Sequence, residues 1–243
     1  MNTINDYIEL IRAPWGKMFY DLLFKQLSVP HTPSIKILDF GSGLGVTSDH
    51  FAAWHNVTAV EPNEEMILNS RRENLYTQLH GSVEKIAMFK DYTFDLVLCH
   101  NVLEYIEEKE PIFAELFRVI KPGGTLSIVK HNRAGKVFQA AVFENNPAKA
   151  LSLLNPHTQG NSNFLGTQQL YSNSDLAGWA EKYGGTVRKV LGMRAFWVLG
   201  QDNAVKYADE WHQKMLTLER KAAEIDEYKQ SAYYNHLLIV KED

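Results

Sequence analysis

The chain has 243 residues, 45% hydrophobic and 22% charged, with a formal net charge of −4 and one cysteine, Cys99. This is the composition of one soluble globular domain with embellishments. The mild acidity argues against a broad nucleic-acid-binding face while leaving room for a local basic patch, and a lone cysteine excludes an internal disulfide framework and suits a reducing cytoplasm. The first residues carry acids without a continuous apolar run, and the longest apolar runs fall well short of the ~20 residues a membrane helix needs. Neither a signal peptide nor a membrane span is expected.

Taken in order, residues 1–33 predict a helical lead-in that ends in the linker "SVPHTPS". From 35 onward, strand-like and helix-like stretches alternate. "IKILDF" (35–40) is a strand, followed by helical spacing over 44–54; "VTAVE" (57–61) is a second strand, with a helix over 64–73. "YTQLHG" (76–81) is a weaker third strand and "TFDLVLCH" (93–100) a fourth; helical "PIFAELFRVI" and the turn "KPGG" precede a fifth, "TLSIVK" (125–130). Strands that read apolar throughout, each followed by a helix, indicate a parallel sheet covered on both faces. The expectation is a doubly wound α/β fold with its ligand at the carboxyl ends of the strands.

Three segments stand outside that alternation. Residues 1–33 are one. A second, 132–172, contains "AGKVFQAAVF", whose apolar positions 134, 137, 138, 141 and 142 mark one helical face. The third, 201–229, places Ala208, Trp211, Met215, Leu218, Ala222 and Ile225 at alternating spacings of three and four. That pattern predicts a long helix over 202–228, either docked on the domain or forming a seam between two copies, so monomer and homodimer are both open. "AYYNHLLIVK" (232–241) is a closing strand. The expected organisation is a single domain over 1–243, its core about 34–131, 173–200 and 230–243, with the three segments as helical lids.

The turn after the first strand carries the chemistry. "LDFGSGLG" places Gly41, Gly43 and Gly45 at alternate positions, and Glu61 ends the second strand twenty residues after Gly41. A dinucleotide fingerprint needs G-x-G-x-x-G, whereas here position 46 is Val. Asp39 beside the loop repels a pyrophosphate and suits a cationic ligand such as S-adenosylmethionine, a sulfonium with no phosphates. No H-x-x-x-H or comparable spacing suggests a metal site.

"ILDFGSGLG", "VTAVEPNEEMI", "GSVEKI", "FDLVLCHNVLEYI" and "LFRVIKPGGTLSIV" resemble, in order, the motifs of class I S-adenosylmethionine-dependent methyltransferases. The resemblance implies a Rossmann-like, mostly parallel seven-stranded sheet, S-adenosylmethionine as cofactor and S-adenosylhomocysteine as product. It implies cofactor contacts at Asp39, Gly41, Ser42, Gly43 and Gly45, at Glu61 (on the ribose diol) and Pro62, at Ser82 and Val83 flanking adenine, and at His100 and Asn101 along the methyl's path. "KHNRAGKVFQAAVF", "GMRAFWVL" and the long helix before the last strand further resemble bacterial methyltransferases that esterify 5-carboxymethoxyuridine in tRNA. That likeness implies that Asn132 and Arg194 position the acceptor; His131 and Asn132, at the end of the fifth strand, and His100 are the candidate bases for an acceptor that must lose a proton. Where that family has an arginine in the lead-in helix that helps hold the cofactor, this chain has Phe19, with Lys17, the nearest basic residue, as an imperfect stand-in contact to the cofactor, and the insert 153–171 lacks lysine and arginine. The acceptor thus reads as a tRNA wobble uridine or as a small metabolite, with a non-catalytic S-adenosylmethionine-binding protein as a further alternative.

Overall fold

The computed structural model describes residues 3–70, 72–155, 160–162 and 166–242. Among the described residues there are nine strands: β1 (Lys36–Phe40), β2 (Asn56–Glu61), β3 (Thr77–His80), β4 (Phe94–His100), β5 (Ile120–His131), β6 (Gly160–Ser162), β7 (Gly166–Gln168), β8 (Gly185–Met193) and β9 (Tyr234–Lys241). Seven form one sheet in the order β3-β2-β1-β4-β5-β9-β8, while β6 and β7 make a separate antiparallel hairpin. The pairs from β3 through β5 are parallel. The order reverses beside β1, and a doubly wound sheet takes its ligand at that switch point. This is the Rossmann-like architecture expected from the alternation of apolar strands and helices. No helix among the described residues is long and apolar enough to cross a membrane.

The "KPGG" segment departs from expectation. It lies inside β5, not before it: Phe94 pairs with Ile120 and Leu96 pairs with Thr125, so an advance of two residues on β4 corresponds to five on β5. Gly123 takes φ +73°, and a Cβ on Gly124 would lie 2.9 Å from the Asp95 carbonyl oxygen, so the two glycines form an irregularity that returns the chain to the ladder.

The chain divides into two compact units. One comprises residues 29–129, 171–189 and 237–243 and holds β1 to β4 with the core residues Ile37, Leu38, Val60, Leu98, Phe113 and Leu126, all buried. The other comprises residues 1–28, 130–170 and 190–236. It contains the helices Ile4–Arg12, Pro14–Leu27, Arg133–Phe138, Pro147–Leu154 and Asp209–Ala222. Residues 156–159 and 163–165 of the lysine-free insert lie outside the described residues.

In this second unit the predicted helical faces shift. Of the apolar positions in 134–142, Ala134, Phe138, Ala141 and Val142 are exposed, while Gly135 and Ala140 are buried. Gly135 explains the shift: a Cβ there would sit 2.3 Å from the Ala232 carbonyl oxygen, so this helix face packs backbone against backbone. The turn 139–143 then widens to a π-helix. The helix predicted over 202–228 is broken into Asp209–Ala222 and Asp226–Ser231. The Gly192 N–H donates to the Ala223 carbonyl (2.8 Å), diverting that oxygen from helical bonding. Its buried face is His212, Leu216, Glu219 and Ala222; the predicted stripe leaves Ala208, Leu218 and Ile225 exposed.

Candidate functional site

The glycine loop leaves β1 in a run of left-handed residues, with Gly41 at φ +74°, Gly43 at +55° and Gly45 at +72°. A side chain at Gly41 would meet Val102, and one at Gly45 would meet the Tyr76 hydroxyl, but at Gly43 only the Met66 sulfur lies near, at 3.5 Å. Gly43 therefore presents open backbone, to which a ligand can come close. The Gly41 and Ser42 N–H groups donate to the Val60 carbonyl, fastening the loop to β2.

Two carboxylates flank it. Asp39 is buried in β1 and accepts a 2.6 Å hydrogen bond from the Ser48 hydroxyl. Burial, against the Ser48 bond and with added repulsion from Glu61, pushes its pKa up to about 6. Glu61 accepts the Gly43 N–H on one oxygen (2.8 Å) and the Asn63 N–H on the other (2.9 Å). Burial raises its pKa too, partly offset by those two bonds. Each Glu61 oxygen keeps a further lone pair, which a ribose diol can fill.

Apart from Lys17, the remaining predicted cofactor residues lie in the same unit. The Pro62 carbonyl accepts from His80 Nε2 (3.0 Å), and the Ser82 N–H donates to the Glu84 carboxylate (2.8 Å), shaping the turn into Val83. His100 Nε2 is 2.8 Å from the Ser127 hydroxyl. Asn101 is held at φ +56° by its N–H bond to the Val129 carbonyl. Ser42 Oγ and Asn101 Oδ1 are buried without a hydrogen-bond partner. Orphaned polar atoms, a bare backbone approach and two buried carboxylates fit a cationic, hydroxyl-bearing ligand. Glu61 would hold the ribose, the Gly41–Gly45 loop and Asp39 the charged tail, and Ser82 and Val83 the adenine of S-adenosylmethionine.

Lys17, Asn132, His131 and Arg194 belong to the other unit. Lys17 is exposed on the helix Pro14–Leu27 and pairs with Asp21 at 3.1 Å. Asn132 donates both amide hydrogens, to the carbonyls of Gln230 (2.7 Å) and Ala232 (2.9 Å), so it clamps the turn before β9. His131 is fixed by a chain of bonds. Lys136 Nζ can only donate, so the Gln168 oxygen faces it and the Gln168 amide nitrogen, 2.9 Å from His131 Nδ1, donates. His131 Nδ1 is then an acceptor already engaged, leaving a proton on Nε2; the ring is a donor, not a base.

Arg194 is 1% exposed, at φ +60°. Its guanidinium carbon lies over the rings of Trp197 (4.3 Å), Trp15 (4.9 Å), Tyr233 (5.5 Å) and Tyr234 (5.7 Å). Burial lowers its pKa, countered by the two tyrosines and Glu219. Arg194 Nε and Nη1, together with Trp197 Nε1, are buried without a hydrogen-bond partner. Lys206, also buried, stands 4.2 Å from the centre of the same Trp197 ring and donates to Gly200 and Asn203. The Tyr233–Tyr234 rings bring Arg194 together with His131, 5.3 and 4.6 Å from them. Sequence reasoning missed Trp15, Trp197, Lys206, Gln168 and Glu219; the only trace of the cage is the aromatic content of "RAFW" and "AYY". Among the described residues no group of three or more His, Cys, Asp or Glu side chains is placed to hold a metal ion.

Residues 38–128 match the family model described as a methyltransferase domain. The ubiquinone biosynthesis O-methyltransferase of Colwellia psychrerythraea is 26% identical over 156 residues, a match spanning 62% of this chain and 60% of that enzyme. Among solved structures, a S-adenosylmethionine-dependent methyltransferase of Thermotoga maritima superposes with TM-score 0.64 at 18% identity, over 98% of this chain and 96% of that one. The 1,6-didemethyltoxoflavin-N1-methyltransferase of Burkholderia thailandensis, solved with its substrate and S-adenosylhomocysteine, gives TM-score 0.54 at 15% identity, over 98% and 87%.

Proposed function

We propose that this chain, whose residues 38–128 match a methyltransferase-domain model, is a S-adenosylmethionine-dependent methyltransferase that methylates a carboxylate oxygen of its acceptor. The observation that carries this reading is the trio of buried donors on Arg194 and Trp197 with no protein acceptor. Three N–H groups, two on a full positive charge, match an anion rich in lone pairs, and a planar guanidinium recognises carboxylate geometry well. The second support is the state of His131. A hydroxyl or amine acceptor gains from a base that removes its proton, whereas a carboxylate at neutral pH has none to lose. His131, its Nδ1 engaged by Gln168, is not that base.

The cofactor's sulfonium supplies an already activated methyl group. The chain's own residues then need to orient the acceptor and keep water out, and orientation alone is worth about 7–11 kcal/mol in favourable cases. Arg194 and Trp197 hold the acceptor anion. Within this class the named candidate is the 5-carboxymethoxy group of a tRNA wobble uridine, supported by the likeness of the "KHNRAG" and "GMRAFW" segments to the tRNA esterifying enzymes. A small acidic metabolite is the second reading. The net charge of −4 favours it, as does the name of the Colwellia relative, a ubiquinone biosynthesis O-methyltransferase.

Mass spectrometry of tRNA nucleosides from cells with and without the gene separates them. Under the tRNA reading, a methyl-ester uridine disappears in the deletion and returns when purified protein and S-adenosylmethionine are added. An unchanged nucleoside profile removes the tRNA candidate and leaves the small acids, which a cell-extract fractionation with labelled cofactor would trace.

A further inference from the structure

Glu219 sits in the helix Asp209–Ala222, 1% exposed, and its carboxylate is spent on backbone. One oxygen accepts the Ala195 N–H (2.8 Å), and the other accepts those of Phe196 (2.9 Å) and Trp197 (2.8 Å). These three consecutive amides join the two residues that own the orphaned donors. Arg194, the residue just before them, is held in the left-handed region that an arginine adopts only when its surroundings impose it. Burial raises the Glu219 pKa while the three amides and Arg194 act against that rise. No ion pair joins Glu219 to Arg194 by direct hydrogen bond; the charge acts through space.

We infer that Glu219 is the positioning residue of the acceptor cage: it fixes the Arg194 turn and balances the guanidinium charge without consuming a guanidinium donor. A carboxylate bonded directly to Arg194 would satisfy the charge and close the site. One anchored on the next three amides leaves Nε and Nη1 open for an outside anion. The inference rests on the acidic-acceptor reading only for what the cage takes up.

The test needs no acceptor. The Arg194 Nε–H signal, identified by its loss in Arg194→Lys, is followed by proton–nitrogen NMR while sodium acetate is added against sodium chloride of equal ionic strength. In the wild type the signal should be protected from solvent exchange and should move with acetate. In Glu219→Gln, where an amide replaces one accepting oxygen and the charge is gone, protection should fall and the acetate midpoint should rise at least tenfold. Identical exchange and midpoint in the variant would overturn the inference. Acetate moving neither protein would instead count against the acidic-acceptor reading. The positioning role is then decided by urea unfolding of Glu219→Gln with and without Arg194→Met. A carboxylate that balances Arg194 loses at least half its midpoint effect in the Met background, and an undiminished effect reduces Glu219 to a turn cap. Glu219→Asp, which retains the charge, replaces Glu219→Gln in both experiments if the latter does not fold.

Discussion

At the scale of single residues, the glycine loop's two acids trade stability for ligand affinity. Asp39 has a folded pKa of about 6 against 3.8 in the open chain. The folded state therefore holds the extra proton between those values, and stability falls as pH rises through them, by about 3 kcal/mol in all. A cationic cofactor reverses the sign, because it favours the ionised carboxylate. Calorimetric titration should accordingly show S-adenosylmethionine affinity steady above pH 6 and weakening towards tenfold per unit below it. Asp39→Asn should stabilise the free protein, raise the cofactor Kd at pH 7.5 and flatten that profile. Glu61→Ala removes the proposed ribose acceptor and two loop bonds together; charge-assisted bonds of this kind are worth ~1.5–3 kcal/mol each, so cofactor binding should fall by a hundredfold or more. Undiminished binding in Glu61→Ala would overturn the assignment of this loop to the cofactor.

At the scale of elements, strands were legible where burial on both faces forced continuous apolar runs: β1, β2 and β4 lie within a residue or two of their predicted bounds. The loop's left-handed glycines were legible because few other residues tolerate that backbone. The helical faces of the second unit were not. Their packing is decided by partners that a periodic pattern does not encode: His212 is buried because Asp21 meets it at 2.8 Å, and Glu219 because three amides do. Likewise Arg194 could be singled out by a motif, but the rings around it come from three separated stretches of chain, at Trp15, Trp197 and Tyr233–Tyr234. Gly135 is the clearest case of a contact invisible in hydropathy, since what matters is the absence of a Cβ against the Ala232 carbonyl. Gly135→Ala should lower unfolding stability by about 2 kcal/mol through overpacking, read as a lower denaturant midpoint, with cofactor affinity retained.

At the scale of the whole molecule, acid acts in opposite directions on two buried groups, Asp39 in the first unit and His236 in the second. His236, in the second unit, donates its Nδ1 proton to Gln26, whose own amide bonds the Gly192 carbonyl, and burial drives its pKa to about 3. Below 6.5 the unfolded chain takes up a proton that the folded one refuses, so stability drains away as pH falls towards 3, by about 5 kcal/mol at the limit. Over the same range Asp39 protonation relieves the first unit. Amide hydrogen exchange at pH 5 should therefore show residues 190–236 losing protection relative to pH 7 while β1 and β2 gain it; uniform change across the chain would contradict both assignments. The cage also carries two buried cations, Arg194 and Lys206, against the single buried carboxylate of Glu219. The unpartnered donors of Arg194 and Trp197 are a receptor for whatever small anion the buffer contains, so chloride or acetate should compete with the acceptor whether or not that acceptor is a nucleic acid. Inhibition by salt is then ambiguous by itself, and its steepness is informative. One buried site gives a log–log slope that levels off near one, while displacement of counterions from several phosphates gives a slope of about 0.7–0.9 for every contact.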